Sequence, residues 1–307
     1  RANVPATSAS ALRAVSGPCA GCSRGQATNL TASEVSATHR PRRTSIIPVS
    51  DLRGRSTMVL PLRFLAFASL LSFSSARAQY IPMTSPALGG NGQPLTIEVW
   101  SDVVCPFCRI GKRELELAIE RFPHKDSVRV VWKSFELDPE APASTGENTF
   151  AMLQRRYGIT EQEARQRVDG VVARGKSIGL RFDFDHARIA SSFHAHRLLQ
   201  WAKSKGLGDA MKSRLFDGYF AEGLLISDHA VLARLSAEAG LDRAEAERML
   251  AGDTFIREVR TDEREARAFG ISGVPFFAFD RRFAVSGAQT SDVFLKAMEK
   301  AWAERGK

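Results

Sequence analysis

Cysteine is scarce in this chain, which has four cysteines among 307 residues. Cys19 and Cys22 lie in an N-terminal stretch with no strand pattern before them and no helix pattern after them, and we interpret their spacing as coincidence. The other pair, Cys105 and Cys108, is too close in sequence to connect distant parts of the chain. A small secreted domain held by a disulfide framework is therefore excluded.

Acidic residues and lysines are nearly absent from residues 1–78. This stretch holds ten arginines, no lysine and only Glu34 and Asp51 as acids, which gives it +8 of the total net charge of +9. Residues 79–307 are therefore nearly neutral and offer no electrostatic footprint for nucleic acid. We predict no nucleic-acid partner.

The N-terminal apolar run, Phe64 to Phe73, is too short to span a bilayer as a mature anchor. Together with Arg63 before it and Ala76-Arg77-Ala78 after it, the run has the pattern of a signal peptide that starts at Met58. We expect export to the periplasm or a secretory lumen, with no stable membrane anchor. Import into an organelle is the alternative.

We assign residues 1–94 to a leader outside the folded domain. Residues 1–57 are rich in Ser, Thr, Ala and Arg, so they suit a transit peptide or an upstream stretch that is not normally translated. Residues 58–78 are the predicted signal peptide. Residues 79–94 are rich in proline and glycine, and we predict that they form a flexible lead-in.

The most informative segment surrounds Cys105-Pro106-Phe107-Cys108. The β-branched run before it predicts a strand over 95–101, and the apolar spacing after it predicts a helix over 106–122. Two cysteines at such a strand-to-helix turn can switch between dithiol and disulfide without refolding. A second strand over 128–137 completes a right-handed βαβ unit.

The rest of the chain is mainly helical until a C-terminal hairpin. Helices are predicted over 147–157, 161–178, 188–205, 209–221, 228–239, 243–251 and 254–269, followed by strands 276–279 and 283–285 and a helix over 291–303. This order predicts an α/β protein with a thioredoxin fold over 95–303. A helical subdomain, 147–253, is inserted between the βαβ unit and the hairpin half.

A thiol attacks a disulfide only as a thiolate. The helix dipole and the unpaired amides at the start of a helix favour an anion there, and such motifs lower the cysteine pKa to between about 3.5 and 7.5. Pro106 costs nothing in the first turn, because an N–H there has no helical partner. We assign attack to Cys105 and resolution of the mixed disulfide to Cys108.

Three alternatives remain for these residues. A Cys-x-x-Cys pair can be half of a zinc site, but the only nearby histidine pair, His194 and His196, would point to different faces of a helix; we predict no metal. The cysteines could instead form a static disulfide. The Val274–Pro275 bond could be an ordinary trans bend.

The sequence resembles the DsbA-like thioredoxin family, in its FrnE-like branch. The resemblance rests on Glu98 to Cys108 with Ile110-Gly111-Lys112, on Phe135-Glu136-Leu137-Asp138-Pro139, on Ala195 to Leu199, on Gly218 to Gly223, and on Gly273 to Phe277 with Val285 to Gln289. It implies a thiol–disulfide oxidoreductase in which Pro275 is cis and packs beside the active-site disulfide. It also implies that Val274 pairs with the substrate through its backbone. Pro106 and Phe107 complete the expected substrate-binding set.

Several neighbouring residues have two interpretations. Glu98 is a candidate proton shuttle for the resolving thiol if it is buried, and a solvent-facing carboxylate if it is not. Arg109 could stabilise the thiolate, but we predict a solvated side chain. We predict that His196 has a packing or surface role and that Phe182 and Phe184 seal the helical block onto the core.

These features predict an enzyme that exchanges disulfides with protein or small-thiol substrates. We expect no bound cofactor beyond the Cys105–Cys108 disulfide, with a redox partner to recycle it and glutathione as a candidate reductant. One alternative is a glutathione-dependent isomerase or transferase of the chromene-carboxylate isomerase or kappa type, although such enzymes typically carry Ser where Cys105 stands. A second is a non-enzymatic chaperone-like or metal-binding module.

Overall fold

A computed structural model describes residues 80–83, 88, 90 and 92–305. Nearly all of the predicted leader lies outside these residues, including the signal-peptide pattern and the pair Cys19 and Cys22. The strands are β1 (Ile81–Pro82), β2 (Leu95–Ser101), β3 (Val128–Ser134), β4 (Phe276–Phe279) and β5 (Phe283–Ser286). They form one mixed sheet in the order β1-β5-β4-β2-β3.

Helices pack against both faces of this sheet. They are α1 (Pro106–Arg121), α2 (Thr149–Tyr157), α3 (Glu161–Ser177), α4 (Phe193–Ser204), α5 (Gly208–Phe220), α6 (His229–Glu238), α7 (Arg243–Ala251), α8 (Ile256–Ala268) and α9 (Ser291–Ala303). Within the described residues, none of these helices combines the length and the apolar composition needed to cross a bilayer.

Strand β2 lies at the centre of the sheet and places the cysteines. It pairs in parallel with β3, with Ser101 opposite Ser134, and antiparallel with β4, with Trp100 opposite Phe276. Alternate side chains point to opposite faces of a strand. One face packs Ile97 and its neighbours against α1 and α9, and the other packs Trp100 against α8. The predicted α/β thioredoxin fold with helices between its two halves is confirmed.

The structure differs from the prediction at three places. The helix expected over 188–205 begins at Phe193, because Arg188 instead forms an isolated antiparallel bridge with Asn148. Strand β3 ends at Ser134 rather than at residue 137. Within the predicted flexible lead-in, Ile81 and Pro82 pair with β5 at the edge of the sheet, where proline is tolerated in a strand.

Candidate active site

Cys105 and Cys108 lie where β2 turns into α1. Cys105 is the N-cap residue of α1, with extended backbone angles, and Pro106 follows in the first turn. The Cys108 N–H donates to the Cys105 carbonyl over 3.1 Å, which starts the helix. Both thiols are free and nearly buried, with 3% and 1% of their surface exposed. The structure therefore shows the dithiol form, with the two cysteines one helical turn apart.

The loop before β4 lies against Cys105. The Cys105 Sγ donates a hydrogen bond of 3.7 Å to the Val274 carbonyl, and the Val274–Pro275 peptide bond is cis. Gly111 permits this close approach of α1, because a Cβ at that position would lie 2.9 Å from Phe277 Cζ and 3.1 Å from Pro275 Cγ. The structure thus brings Cys105, Val274 and Pro275 together from opposite ends of the sequence.

The substrate-binding residues expected from the sequence surround this point. Phe107 is 46% exposed, Pro106 and Val274 are half-buried, and Pro275 is buried. Leu137 is another large exposed apolar side chain, and its N–H donates to Asp102, which lies three residues before Cys105. An apolar rim around a buried thiol suits a substrate that places its own sulfur over Cys105 while its neighbouring side chains contact Phe107.

The expected lowering of the Cys105 pKa is wrong for this dithiol form. The hydrogen bond with the Cys108 side chain, burial, and the nearby charge of Asp102 raise the pKa of Cys105 well above its usual value. The Cys108 backbone acts in the opposite direction but does not outweigh them. The position at the helix N-terminus alone therefore does not fix the thiolate fraction, because the hydrogen bond with Cys108, followed by desolvation, disfavours the anion more strongly here.

Sequence reasoning missed a buried polar pair beside the cysteines. Asp102 is fully buried; it accepts a 2.8 Å hydrogen bond from the Leu137 N–H and lies 3.2 Å from His196 Nε2. Burial raises the pKa of Asp102, but the hydrogen bonds from His196, Leu137 and Ser192 lower this pKa by more than burial raises it, so the net shift is downward. The signal for Asp102 was its position between the end of a strand and Cys-x-x-Cys. His196 is completely buried, so a packing role fits it and a surface role does not.

The structure does not bring Glu98 to the cysteines. Its carboxylate is buried, as a shuttle would require, but both oxygens accept hydrogen bonds from Arg281. Lys133 lies 3.7 Å away on the same side. Because Glu98 alternates with Val99 along β2, it points to the face covered by α8, away from α1. The proton-shuttle hypothesis therefore loses its geometric basis.

Arg109 is buried rather than solvated, which corrects our expectation. Its guanidinium donates to the Arg181 carbonyl over 2.7 Å and to Asp217 over 2.5 Å, and it lies 5.0 Å from the ring centroid of Phe182. Burial lowers the pKa of Arg109, and Asp217 partly offsets this effect. Arg109 thus connects the helix of the cysteines to the inserted helices.

Phe182 and Phe184 are buried and stacked on each other, with ring centroids 5.4 Å apart. Both contact Phe220 of α5 edge-on. This packing agrees with the predicted sealing role rather than with the wall of an open groove. Elsewhere in the described part of the chain, no group of three or more His, Cys, Asp or Glu side chains is arranged to hold a metal ion.

This chain is similar to known proteins in sequence and in fold. The DSBA-like thioredoxin domain family matches residues 96–299. A solved structure from Streptomyces coelicolor, described as a probable DsbA oxidoreductase, is 39% identical with a TM-score of 0.67; the match covers 69% of this chain and 92% of that one. The Bacillus subtilis (strain 168) protein YwbO, itself uncharacterized, is 30% identical over 203 residues, or 66% of this chain and 94% of YwbO. The chain therefore belongs to the DsbA-like thioredoxin domain family.

Proposed function

We propose that this protein is a thiol–disulfide oxidoreductase that exchanges disulfides with protein or small-thiol substrates through Cys105 and Cys108. The observation that carries the proposal is the placement of Cys105 at the start of α1, 3.7 Å from the Val274 carbonyl and beside the exposed Phe107. A buried cysteine with a purely structural role would not need an apolar rim that is open to solvent.

The exchange proceeds in two steps. A substrate thiolate attacks Cys105 Sγ of the oxidised protein, the Cys105–Cys108 bond breaks with its electron pair passing to Cys108, and a mixed disulfide forms between substrate and Cys105. A second substrate thiolate then attacks the substrate sulfur and releases Cys105. The raised pKa of Cys105 means that the released sulfur takes up a proton near neutral pH. The substrate is oxidised to a disulfide and the protein is reduced to the dithiol; the reverse sequence reduces a substrate.

Val274 would align the substrate in this scheme. Its carbonyl already accepts a hydrogen bond from Cys105 Sγ, so a substrate sulfur that enters the site arrives next to the Val274 backbone. Phe107 and Pro106 would contact the substrate on the other side. In the oxidising direction the Cys105–Cys108 disulfide accepts both electrons from the substrate, and a protein partner would reoxidise the dithiol. In the reducing direction the dithiol supplies both electrons, and glutathione would serve as the reductant that restores it, so the chemistry needs no further cofactor.

Insulin reduction by dithiothreitol tests the activity directly. The wild-type protein should accelerate the reaction, and Cys105→Ser should reduce the rate to that of dithiothreitol alone, because no mixed disulfide can form. Arg121→Ala is a matched surface control on the same helix, since its partner Asp292 is exposed; it should retain the wild-type rate. An unchanged rate in Cys105→Ser would reject the proposal.

The same variants separate the two rival functions. Survival of a glutathione-dependent isomerase activity in Cys105→Ser would support the isomerase alternative. Prevention of client aggregation that persists in both Cys105→Ser and Cys108→Ser, with no mixed disulfide in the wild type, would support a chaperone-like module. Stoichiometric zinc uptake by the reduced protein would support a metal-binding module.

We further propose that the mature protein is exported and starts at Gln79, with residues 95–303 as the catalytic domain and 147–253 as its inserted helical subdomain. The support is the signal-peptide pattern from Met58 to Ala78. N-terminal sequencing of the protein from its native cells tests this. A start at Gln79 supports export, and a mature start within residues 1–57 supports organelle import.

A further inference from the structure

Lys212 is completely buried on α5 and faces the end of β2, four residues before Cys105. It is 0% exposed, and among the described residues its ammonium makes one hydrogen bond, a long one of 3.4 Å to the Ser101 carbonyl. The aromatic rings of Phe216 and Trp132 lie 4.8 and 5.6 Å from the nitrogen. A buried ammonium costs considerable free energy unless it is paired. Lys212 therefore needs an explanation beyond packing.

A second lysine near the same ring shows what a paired ammonium looks like. Lys112 Nζ lies 5.5 Å from the centroid of Trp132 and donates to Glu116 over 2.5 Å and to Asp209 over 2.9 Å. Lys212 Nζ, in contrast, has no carboxylate oxygen at ion-pair distance anywhere in 92–305 or in the described part of the lead-in. Glu116 and Asp209 therefore compensate the charge of Lys112, whereas no neighbouring carboxylate among the described residues compensates the charge of Lys212.

The ionisable groups that face Lys212 belong to the redox site. Burial lowers the pKa of Lys212 to about 8, and the acidic groups that act against this shift are, in order, Cys108, Asp102 and Cys105. Lys112 on α1 acts in the same direction as burial, and His196 on α4 faces Asp102. The strongest electrostatic partner of Lys212 is thus the cysteine that leaves when the disulfide opens.

We propose that Lys212 stabilises the negative charge that develops on Cys108 Sγ when the Cys105–Cys108 disulfide is opened, and so accelerates exchange from within the inserted helices. The proposal rests on the exchange function described above and assigns the inserted helices an electrostatic part in it. When a thiolate attacks Cys105, the breaking S–S bond delivers its electron pair to Cys108, which is 1% exposed and receives little help from water. Lys212 supplies the positive charge that solvent cannot.

A different explanation is that Lys212 only balances the charge of Asp102. Asp102 already accepts hydrogen bonds from the Leu137 and Val104 amides and contacts His196, so its charge has local partners. If balancing Asp102 were its only purpose, loss of the ammonium would lower the stability of the fold and leave the rate of disulfide opening unchanged. The two explanations therefore predict different measurements.

The test uses the oxidised, full-length protein and measures by stopped flow how fast dithiothreitol opens its disulfide. The rate constant is divided by the concentration of dithiothreitol thiolate at each pH. Well below pH 8, where the Lys212 ammonium is charged, Lys212→Met should react about 10- to 100-fold more slowly than wild type, because one unit charge near the leaving sulfur is lost. Lys112→Met, which removes a neutralised lysine near the same ring, should stay within about threefold of wild type. Equal rates for wild type and Lys212→Met would overturn the proposal, even if the variant melts at a lower temperature.

The wild-type pH profile gives a second readout that no folding defect can affect. The rate per thiolate should fall as the pH rises towards 8, because the Lys212 amine is then neutral. Burial lowers the pKa of Lys212 to about 8 in the dithiol form, and the oxidised protein lacks the two thiols that raise this pKa. Lys212→Met should show no such fall. A wild-type profile that is flat across this range would overturn the proposal. Failure of the exchange function is distinguishable, because the wild-type disulfide would then form no mixed disulfide through Cys105 at any pH.

Discussion

Two regions of the molecule hold buried charges that are treated in opposite ways. On the face covered by α8, Glu98 binds Arg281 through both oxygens, and Lys133 donates to Asp262 and Glu265 over 3.0 and 2.7 Å. We call these five residues the ion-pair cluster. At the end of β2, just before the cysteine motif, Asp102 contacts His196, and Lys212 donates to the Ser101 carbonyl. We call Asp102, His196 and Lys212 the cysteine-side cluster.

Pairing is complete in the first cluster and incomplete in the second. The Nδ1 atom of His196 is buried without a hydrogen-bond partner among the described residues, and Lys212 reaches only a carbonyl at 3.4 Å. Paired buried charges fix the structure, whereas unpaired groups persist where chemistry uses them. The contrast explains why Glu98, which the sequence left as one candidate shuttle, is held in ion pairs, whereas Lys212, which the sequence analysis did not single out, keeps the uncompensated charge that we propose acts in the redox site.

The sharpest way to break this comparison is to remove one charge from each cluster. Glu98→Ala should lower the free energy of unfolding by about 1 to 3 kcal/mol, because Arg281 and Lys133 lose a buried carboxylate but keep Glu265 and Asp262 as partners. Lys212→Met should change it by less than about 1 kcal/mol or raise it, because it removes a buried charge that has no ion pair. Chemical denaturation of both variants checks this. A larger loss for Lys212→Met than for Glu98→Ala would contradict the comparison.

Gly111 tests how tightly the cysteine side is packed. Gly111→Ala places a Cβ 2.9 Å from Phe277 and 3.1 Å from Pro275, so α1 or the Val274–Pro275 loop has to move. We expect a loss of about 1 to 3 kcal/mol in the free energy of unfolding, with slower insulin reduction. Gly170→Ala on α3, where a Cβ meets nothing within 4 Å, is the matched control and should not be destabilising. Equal stability of the two variants would show that α1 packs less closely against Phe277 and Pro275 than the distances at Gly111 indicate.

Phe107 sharpens the comparison on the solvent side of the cysteines. Because the ring is 46% exposed, Phe107→Ala should leave the free energy of unfolding nearly unchanged. It should weaken catalysis with an unfolded protein substrate by about tenfold, since the substrate loses an apolar contact, while exchange with a small thiol stays within about twofold. Insulin and glutathione assays measured side by side would reveal the difference. Equal losses for both substrates would argue against a substrate-contacting role.

A carboxyl pair near the end of β3 is only partly paired, so it is intermediate between the ion-pair cluster and the cysteine-side cluster. Arg260 binds both Glu136 and Glu263, and each carboxyl keeps one buried oxygen without a partner. Burial, followed by the proximity of Glu263, raises the pKa of Glu136 to about 8. The folded protein therefore binds the proton on the Glu136 carboxyl more tightly than the unfolded chain does. Protonation of Glu136 stabilises the fold at low pH, and this stabilisation is lost as the pH rises from about 5 to about 8.

Glu136→Gln should flatten this pH dependence, because the amide does not titrate. The expected difference is no more than about 1 kcal/mol, since the partner Arg260 is partly exposed to solvent. Thermal unfolding of both proteins across this pH range provides the measurement. Parallel curves for wild type and variant would show that Glu136 is already ionised in the folded state near neutral pH.

The parts of the site that depend on local sequence were predictable, and the parts that depend on distant contacts were not. The bounds of β2 and β4 and the start of α1 follow from alternation and from Pro106, which act within a few residues. Lys212 reaches the site from 111 residues beyond its Ser101 partner, and His196 from 94 residues beyond Asp102. Arg109 was misjudged for the same reason, since Asp217 is supplied by α5.

The pKa of Cys105 shows a further limit of local reasoning. The helix N-terminus visible in the sequence predicts a lowered pKa, but the hydrogen bond with the Cys108 side chain, followed by burial, reverses the direction of the shift. The burial depends in part on the loop at Val274, which the chain brings to Cys105 from 169 residues away.

Trapping of the mixed disulfide tests the central claim most directly. In Cys108→Ser the resolving thiol is absent, so Cys105 should remain covalently bound to a substrate that carries a disulfide. Non-reducing electrophoresis and mass spectrometry should locate that bond at Cys105, and it should be absent in the variant that carries both Cys105→Ser and Cys108→Ser. A folded Cys108→Ser protein that forms no adduct with any disulfide substrate, even at alkaline pH where Cys105 ionises, would contradict the account.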